Sequence, residues 1–320
     1  MRSPWPRPQS HHVPYYAAVR GLRRVVHSSQ QLAFSMATAP MKILVTGGTD
    51  GIGRETAIQL VDLGHNVTIA GRSQEKADAL IDLCIDKYQR KVKFIKVDLS
   101  VMEQVKSFAN RVADECYDIY IMNAGLMNPE KTATVDGLEM TIMTNLISTY
   151  IVVNTVLKNR PDEKKMHFVF MTSILIKFYS AIPIGKKLFD PTVVEQWEKA
   201  VIPSDKSGPG MYTISKIGTA MLAEWINSKS IPDVTATAIH PGCVHTNMLK
   251  TLPARQQFYL KMCSPFTTKL GQAGNNVVHA ALHPLPLNEY YVTSRVEKLP
   301  SFMQDPSTMA AFSTFLEKYL

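Results

Sequence analysis

Short apolar runs alternate with longer amphipathic stretches along most of the chain. Lys42 to Thr46, Asn66 to Ala70, Val92 to Val97, Asp118 to Met122, His167 to Thr172 and Val234 to Ile239 are rich in β-branched and aromatic residues and read as buried strands. Tyr290 to Val292 adds a seventh. Between the first strands, Gly51 to Leu63 and Gln74 to Tyr88 carry apolar positions at helical spacing, and Gly64 supplies a stop for the first of them. Strand and helix in alternation predict βαβ units with right-handed crossovers. The expected class is α/β: a doubly wound parallel sheet of about seven strands with helices on both faces.

Composition fits one large domain. The 320 residues are 45% hydrophobic, with no internal repeat or low-complexity linker after residue 40. Residues 41–320 are expected to form that domain, and residues 1–40 a basic extension. The extension contains five arginines (Arg2, Arg7, Arg20, Arg23, Arg24) and no acid, so the net charge of +8 leaves only +3 for the rest. That excess, without a basic stripe interleaved with aromatics, gives no reason to expect nucleic-acid binding. The extension is Arg-rich, Ser-rich and acid-poor, as in a transit peptide, which would place the protein in the mitochondrial matrix. A disordered tail, or a start at Met36 or Met41, would leave it cytoplasmic. It lacks the unbroken apolar stretch of a secretory signal. The apolar region from Met166 to Ile184 contains His167 and Lys177 and has β character, so no transmembrane span is expected. Cys84, Cys116, Cys243 and Cys263 have no CxxC spacing and read as reduced thiols. His240 and His245 lack a carboxylate cluster at ligand spacing, so no metal is expected.

The first strand runs into Thr46-Gly47-Gly48-Thr49-Asp50-Gly51-Ile52-Gly53 and then a helix. Glycines there permit a tight turn and close approach of a pyrophosphate, and the helix N-terminus presents unpaired N–H groups to the anion. Arg72, just past the second strand, stands where a dinucleotide-binding fold meets the adenosine ribose. An arginine there can pair with a 2′-phosphate, whereas a carboxylate would accept from a 2′-hydroxyl; this favours NADP over NAD, unless Arg72 is an ordinary exposed arginine. Asp98 suits either an acceptor for the adenine amino group or a cap on the next helix. Tyr212 and Lys216, spaced i,i+4, share one helix face. For Tyr212 to be half ionised near pH 7 its pKa must fall by about 3, roughly 4 kcal/mol, which an ammonium and an oxidised nicotinamide would supply together.

Taken in order, these features resemble the classical short-chain dehydrogenase/reductase family over nearly all of residues 41–295. The glycine loop (Gly47, Asp50, Gly51, Ile52, Gly53) is followed by Asp98-Leu99, then Asn123-Ala124-Gly125. Asn145 follows within Thr144-Asn145-Leu146, then Ser173, Tyr212 and Lys216, and finally Pro241-Gly242 with Thr246. Within the family, Gly53-Arg54-Glu55-Thr56-Ala57, Gly71-Arg72 and Asp136-Gly137-Leu138-Glu139 are most similar to the retinol dehydrogenase and WW-domain oxidoreductase branch. Met122, where a second asparagine is usual, and Ile147-Ser148-Thr149-Tyr150 depart from that pattern.

The resemblance implies a Rossmann-type fold and an NADP(H)-dependent oxidoreductase acting on a hydrophobic carbonyl or alcohol of retinoid, steroid or lipid type. Catalysis would rest on Asn145, Ser173, Tyr212 and Lys216. Asn123-Ala124-Gly125 would steady the sheet, and Pro241, Gly242 and Thr246 would line the nicotinamide. It also implies a homodimer paired through the helix bearing Tyr212. The alternative is an NADP-binding regulatory protein on the same fold without turnover. An insertion at about 174–210 leaves the sheet after Ser173 and returns before Tyr212, forming either a wall or lid over the substrate or a packed surface excursion. Within it, Asp190 as N-cap, Pro191 at the first helical position and a Thr192–Glu195 capping box predict a short helix with Trp197 facing inward. Methionines 211, 221, 248 and 262 read as core and pocket packing.

Overall fold

The computed structural model describes residues 39–127, 133–177, 190–203, 209–244 and 267–320. Met41–Leu320 is one compact unit. The expectations for residues 1–38, for 178–189 and 204–208 of the insertion, and for Thr246, His245, Met248, Met262 and Cys263 lie outside the described residues.

The order is β1 (Lys42–Thr46), α1 (Gly51–Asp62), β2 (Asn66–Gly71), α2 (Gln74–Tyr88), β3 (Lys93–Lys96), α3 (Met102–Glu115), β4 (Ile119–Met122), α4 (Met140–Lys158) and β5 (Met166–Met171). There follow α5 (Val194–Ala200), α6 (Pro209–Ser228), β6 (Val234–His240), α7 (Leu270–Leu282), β7 (Glu289–Val292), β8 (Arg295–Lys298), a 3-10 turn (Ser301–Gln304) and α8 (Pro306–Glu317). The strands form one sheet in the order β3-β2-β1-β4-β5-β6-β7-β8, parallel except for the last pair. This is the Rossmann-type arrangement. The winding reverses between β1 and β4, where Ile43 pairs with Ile119 and Val45 with Ile121, and such a switch point opens a crevice at the strand ends.

Period-two alternation sends neighbouring side chains to opposite layers. Leu44, Tyr120, Phe168 and Phe170 enter the core beneath α3, α4 and α6; Ile43, Val45, Ile121 and Val169 enter the one beneath α1, α2 and α7. In α4, Met140–Lys158 is long and apolar enough to cross a membrane by length and composition, and 78% of its most apolar window is buried within the fold. It is a core helix, packed on α3 and α6.

Two details differ from expectation. The sheet has an eighth strand, β8, whose mostly exposed side chains Arg295, Val296, Glu297 and Lys298 carry little hydrophobic signal. The helix in the insertion begins later than expected, at Val194 with Val193 as N-cap and no side-chain cap. Asp190 instead accepts from Thr192 N (2.9 Å) and Thr192 Oγ1 (2.7 Å), closing a turn before the helix starts. Trp197 does face inward: it is fully buried, donates Nε1–H to the Pro191 carbonyl at 3.0 Å, and packs on Phe312 and Phe315. Helix α6 is buried continuously from Ile214 to Ile226, partly by α8 of the same chain.

Candidate active site

The glycine loop is shaped by two close approaches. Gly47 has φ +65°, and a Cβ there would lie 2.9 Å from Ala124 Cα; a Cβ on Gly53 would lie 2.3 Å from Asn123 Nδ2 and 2.4 Å from the Gly47 carbonyl oxygen. Asn123 Nδ2 donates to the carbonyls of Thr46 (2.8 Å) and Gly47 (3.3 Å), and Ala124 N donates to Thr46 Oγ1 (3.0 Å). The ends of β1 and β4 are thus tied together at the switch point. Asp50 caps α1, accepting from Gly51 N at 2.7 Å, so the helix start faces the crevice in fixed register. Ile52 lies in the first turn, its carbonyl accepting from Thr56 Oγ1 at 2.8 Å. A glycine cradle at a helix N-terminus beside a parallel-sheet switch point fits the pyrophosphate of a dinucleotide.

Arg72 is exposed just past β2 and has no hydrogen-bond or ion-pair partner among the described residues. Asp98 does not cap α3, whose N-cap is Val101. Its Oδ1 accepts from Ser100 N (2.9 Å) and Oγ (2.7 Å), which fixes the turn ahead of the helix, and Leu99 is buried beside it.

The chemistry-bearing side chains converge from three elements. Ser173 ends the segment after β5, and its hydroxyl is hydrogen-bonded to the side chain of half-buried Tyr212 on α6. One turn on, buried Lys216 donates Nζ–H to the Met171 carbonyl at 2.9 Å and sits 5.5 Å from the Tyr212 ring centroid. Thr172 Oγ1 returns a bond to the Lys216 carbonyl at 2.9 Å, locking α6 to the end of β5. Asn145 lies in a single π turn, Met143–Ile147, within α4; such turns re-aim one residue in a helix. Its Nδ2 donates to the Leu126 carbonyl (2.9 Å) and Ser215 Oγ (3.0 Å), and its Oδ1 accepts from Leu126 N (2.8 Å). Gly125 completes the group: a Cβ there would stand 3.3 Å from both Asn145 Oδ1 and Lys216 Nζ.

Burial dominates the electrostatics of the pair. Burial pushes the Tyr212 hydroxyl up to about 12, with the nearby Cys243 thiol adding to the rise and the Ser173 hydrogen bond opposing it. Burial also lowers Lys216 to about 8. Both shifts have the same cause: desolvation disfavours the charged form of each group, the tyrosinate and the ammonium.

After β6, the Pro241 carbonyl accepts from Asn276 Nδ2 at 2.9 Å, and Gly242, at φ +114°, abuts Thr268. His240 is buried and held near 4 by desolvation, with Lys177 also lowering it. No group of three metal-ligating side chains occurs among the described residues. Sequence reading passed over Ser215, Thr46 and Asn276, which hold the site's members in place. Ser215 had a visible signal, lying between Tyr212 and Lys216; the other two act only through folding.

Residues 41–181 match the sequence profile of the short chain dehydrogenases. The first part of the folded unit, residues 41–181, is thus similar to the short chain dehydrogenases. Human retinol dehydrogenase 13 is 27% identical over 219 residues, covering 67% of this chain and 62% of that protein. Mouse retinol dehydrogenase 12 is 28% identical over 247 residues, covering 75% and 72%. An uncharacterized oxidoreductase of Schizosaccharomyces pombe is 28% identical over 232 residues, covering 68% and 64%. The chain thus spans less than two thirds of the length of some of these relatives. Among solved structures, a short-chain dehydrogenase from Sphingobium yanoikuyae in complex with NADPH superposes with a TM-score of 0.56 at 18% identity, over 76% of this chain and 84% of that one. A chain from Shigella flexneri 2a complexed with NADP gives 0.57 at 18% identity, over 80% and 97%. At those identities the structures speak for the fold alone, the Rossmann-type sheet described above.

Proposed function

We propose that this protein is an NADP-dependent oxidoreductase that interconverts a carbonyl and an alcohol on a hydrophobic, retinoid-, steroid- or lipid-like substrate. The observation that carries this reading is the convergence of Ser173, Tyr212 and Lys216 from β5 and α6, with Asn145 behind them. NADPH, when bound, supplies the hydride. Tyr212 gives its hydroxyl proton to the oxygen that becomes the alcohol, and Ser173 donates to the same oxygen as negative charge develops there. Lys216, charged below about 8, would bond the nicotinamide ribose and stabilise the tyrosinate left behind. Asn145 sits behind Lys216 and Ser215, where it can anchor the path by which protons are replaced. Arg72, exposed and without a partner among the described residues, supports the phosphorylated cofactor. The similarity to retinol dehydrogenases supports an apolar substrate.

Fluorescence titration tests the cofactor. NADPH is expected to bind about 10- to 100-fold tighter than NADH, the range of one or two charge-assisted hydrogen bonds to a phosphate, and Arg72→Ala should erase most of that preference. Turnover of apolar carbonyls with NADPH tests the reaction; tight NADPH binding with no turnover across such a panel would leave a regulatory binding protein.

A further inference from the structure

A charge pair bridges the glycine loop and the first turn of α2. Asp50 uses Oδ1 to cap α1, while its Oδ2 pairs with Lys76 Nζ. The two side chains are 45% and 51% exposed, so the pair is open to solvent and to a ligand. Lys76 is fixed at its backbone, where its amide donates to Ser73 Oγ at 3.3 Å, and Ser73 directly follows the exposed Arg72. Asp50 is thus an acid on the loop itself, within reach of the strand end where the 2′-substituent of the adenosine ribose would lie.

A phosphate monoester carries between one and two negative charges near neutrality, and a bare carboxylate on the same edge would repel it. Paired with Lys76, Asp50 contributes no net charge, and Arg72 is left to make the edge cationic. A 2′-hydroxyl has no charge to be repelled. We infer that Lys76 is a specificity-determining residue, selecting the phosphorylated cofactor by neutralising Asp50 rather than by holding the phosphate alone. The inference rests on the NADP reading above and extends it to a residue pair that the glycine motif does not contain.

Binding to the full chain, without substrate, tests it by titration of NADPH, NADH, 2′,5′-ADP and ADP at low salt. Lys76→Gln should weaken NADPH and 2′,5′-ADP about tenfold and leave NADH and ADP within about twofold, which also shows that the variant is folded. Adding Asp50→Asn, which keeps a capping side chain, should restore most of the lost affinity. Raising the salt to 0.5 M, where the Debye length is only about 4 Å, should shrink the Lys76→Gln effect. A preference for NADPH that survives Lys76→Gln would overturn this inference alone. Failure of Asp50→Asn to rescue would overturn it too, because Lys76 would then act on the phosphate directly. Equal affinity of the wild-type protein for NADPH and NADH would overturn the NADP reading together with it.

Discussion

Tyr212 and Lys216, the proposed proton donor and its neighbour, are both shaped by burial. Burial holds the tyrosine protonated, near 12, and brings the lysine to about 8, so the free protein stores a neutral phenol beside an easily discharged ammonium. Two outcomes follow at this scale. Tyr212→Phe removes the proton without disturbing the ring's packing, so kcat should fall by about 10²- to 10⁴-fold while NADPH affinity stays within about twofold. Lys216→Ala should damage both. The lysine is charged below about 8 and loses its charge as pH rises through that value. Cofactor affinity titrated from pH 6 to 10 should therefore decline above about 8, and a flat profile would remove Lys216 from cofactor binding.

Among the elements, α8 carries more of the site's stability than its distance along the chain implies. Phe312, Phe315 and Leu316 are fully buried, and the first two pack on Trp197, with ring centroids 4.9 and 5.6 Å away, so α8 holds α5 in place. Phe315→Ala should cost about 3–5 kcal/mol in urea unfolding, the usual range for emptying an aromatic site in a core. A loss under about 1 kcal/mol would show that α8 is not part of the cooperative unit. The same element marks what the sequence made legible. Strands β1, β2 and β4 to β7 were readable from apolar residues in buried runs, and β3 from Phe94 and Ile95 between exposed lysines. So was the inward-facing Trp197, while Asn145, Ser173, Tyr212 and Lys216 were legible as candidates from their residue types in order. β8 was not, because an edge strand facing solvent needs pairing rather than hydrophobicity. Nor was the π turn around Asn145, which is a matter of backbone register with no residue-type signature. The covering of α6 was equally hidden, since an apolar helix reads the same whether its own chain or a partner buries it.

At the scale of the whole molecule, the sheet includes an ionisable group that couples its stability to acid. His167, on β5, is buried, with its pKa lowered to about 4 mainly by desolvation. The Ala280 carbonyl, 3.3 Å from Nε2, can only accept, so Nε2 carries the proton and Nδ1 accepts from Thr235 Oγ1 at 2.8 Å. A further proton on Nδ1 could still be bonded by the Thr235 hydroxyl, so the cost of charging the ring is its desolvation. The unfolded chain, with an ordinary imidazole near 6.5, therefore takes up a proton between pH 6.5 and about 4 that the folded chain does not. Stability is full above that window and falls as pH is lowered through it, by about 1.4 kcal/mol per pH unit and about 3 kcal/mol in all for this one group. Buried Glu139 and Glu224, with pKa values raised by desolvation, act in the opposite sense at the acid end, so the total slope mixes several groups. The difference between proteins isolates the histidine. Urea unfolding of the wild type and of His167→Gln, which retains a donor for the Ala280 carbonyl, should give curves that separate by about 3 kcal/mol in pH dependence between pH 7 and 4. Parallel curves would mean that His167 is protonated in the folded sheet, and that the acid sensitivity lies elsewhere.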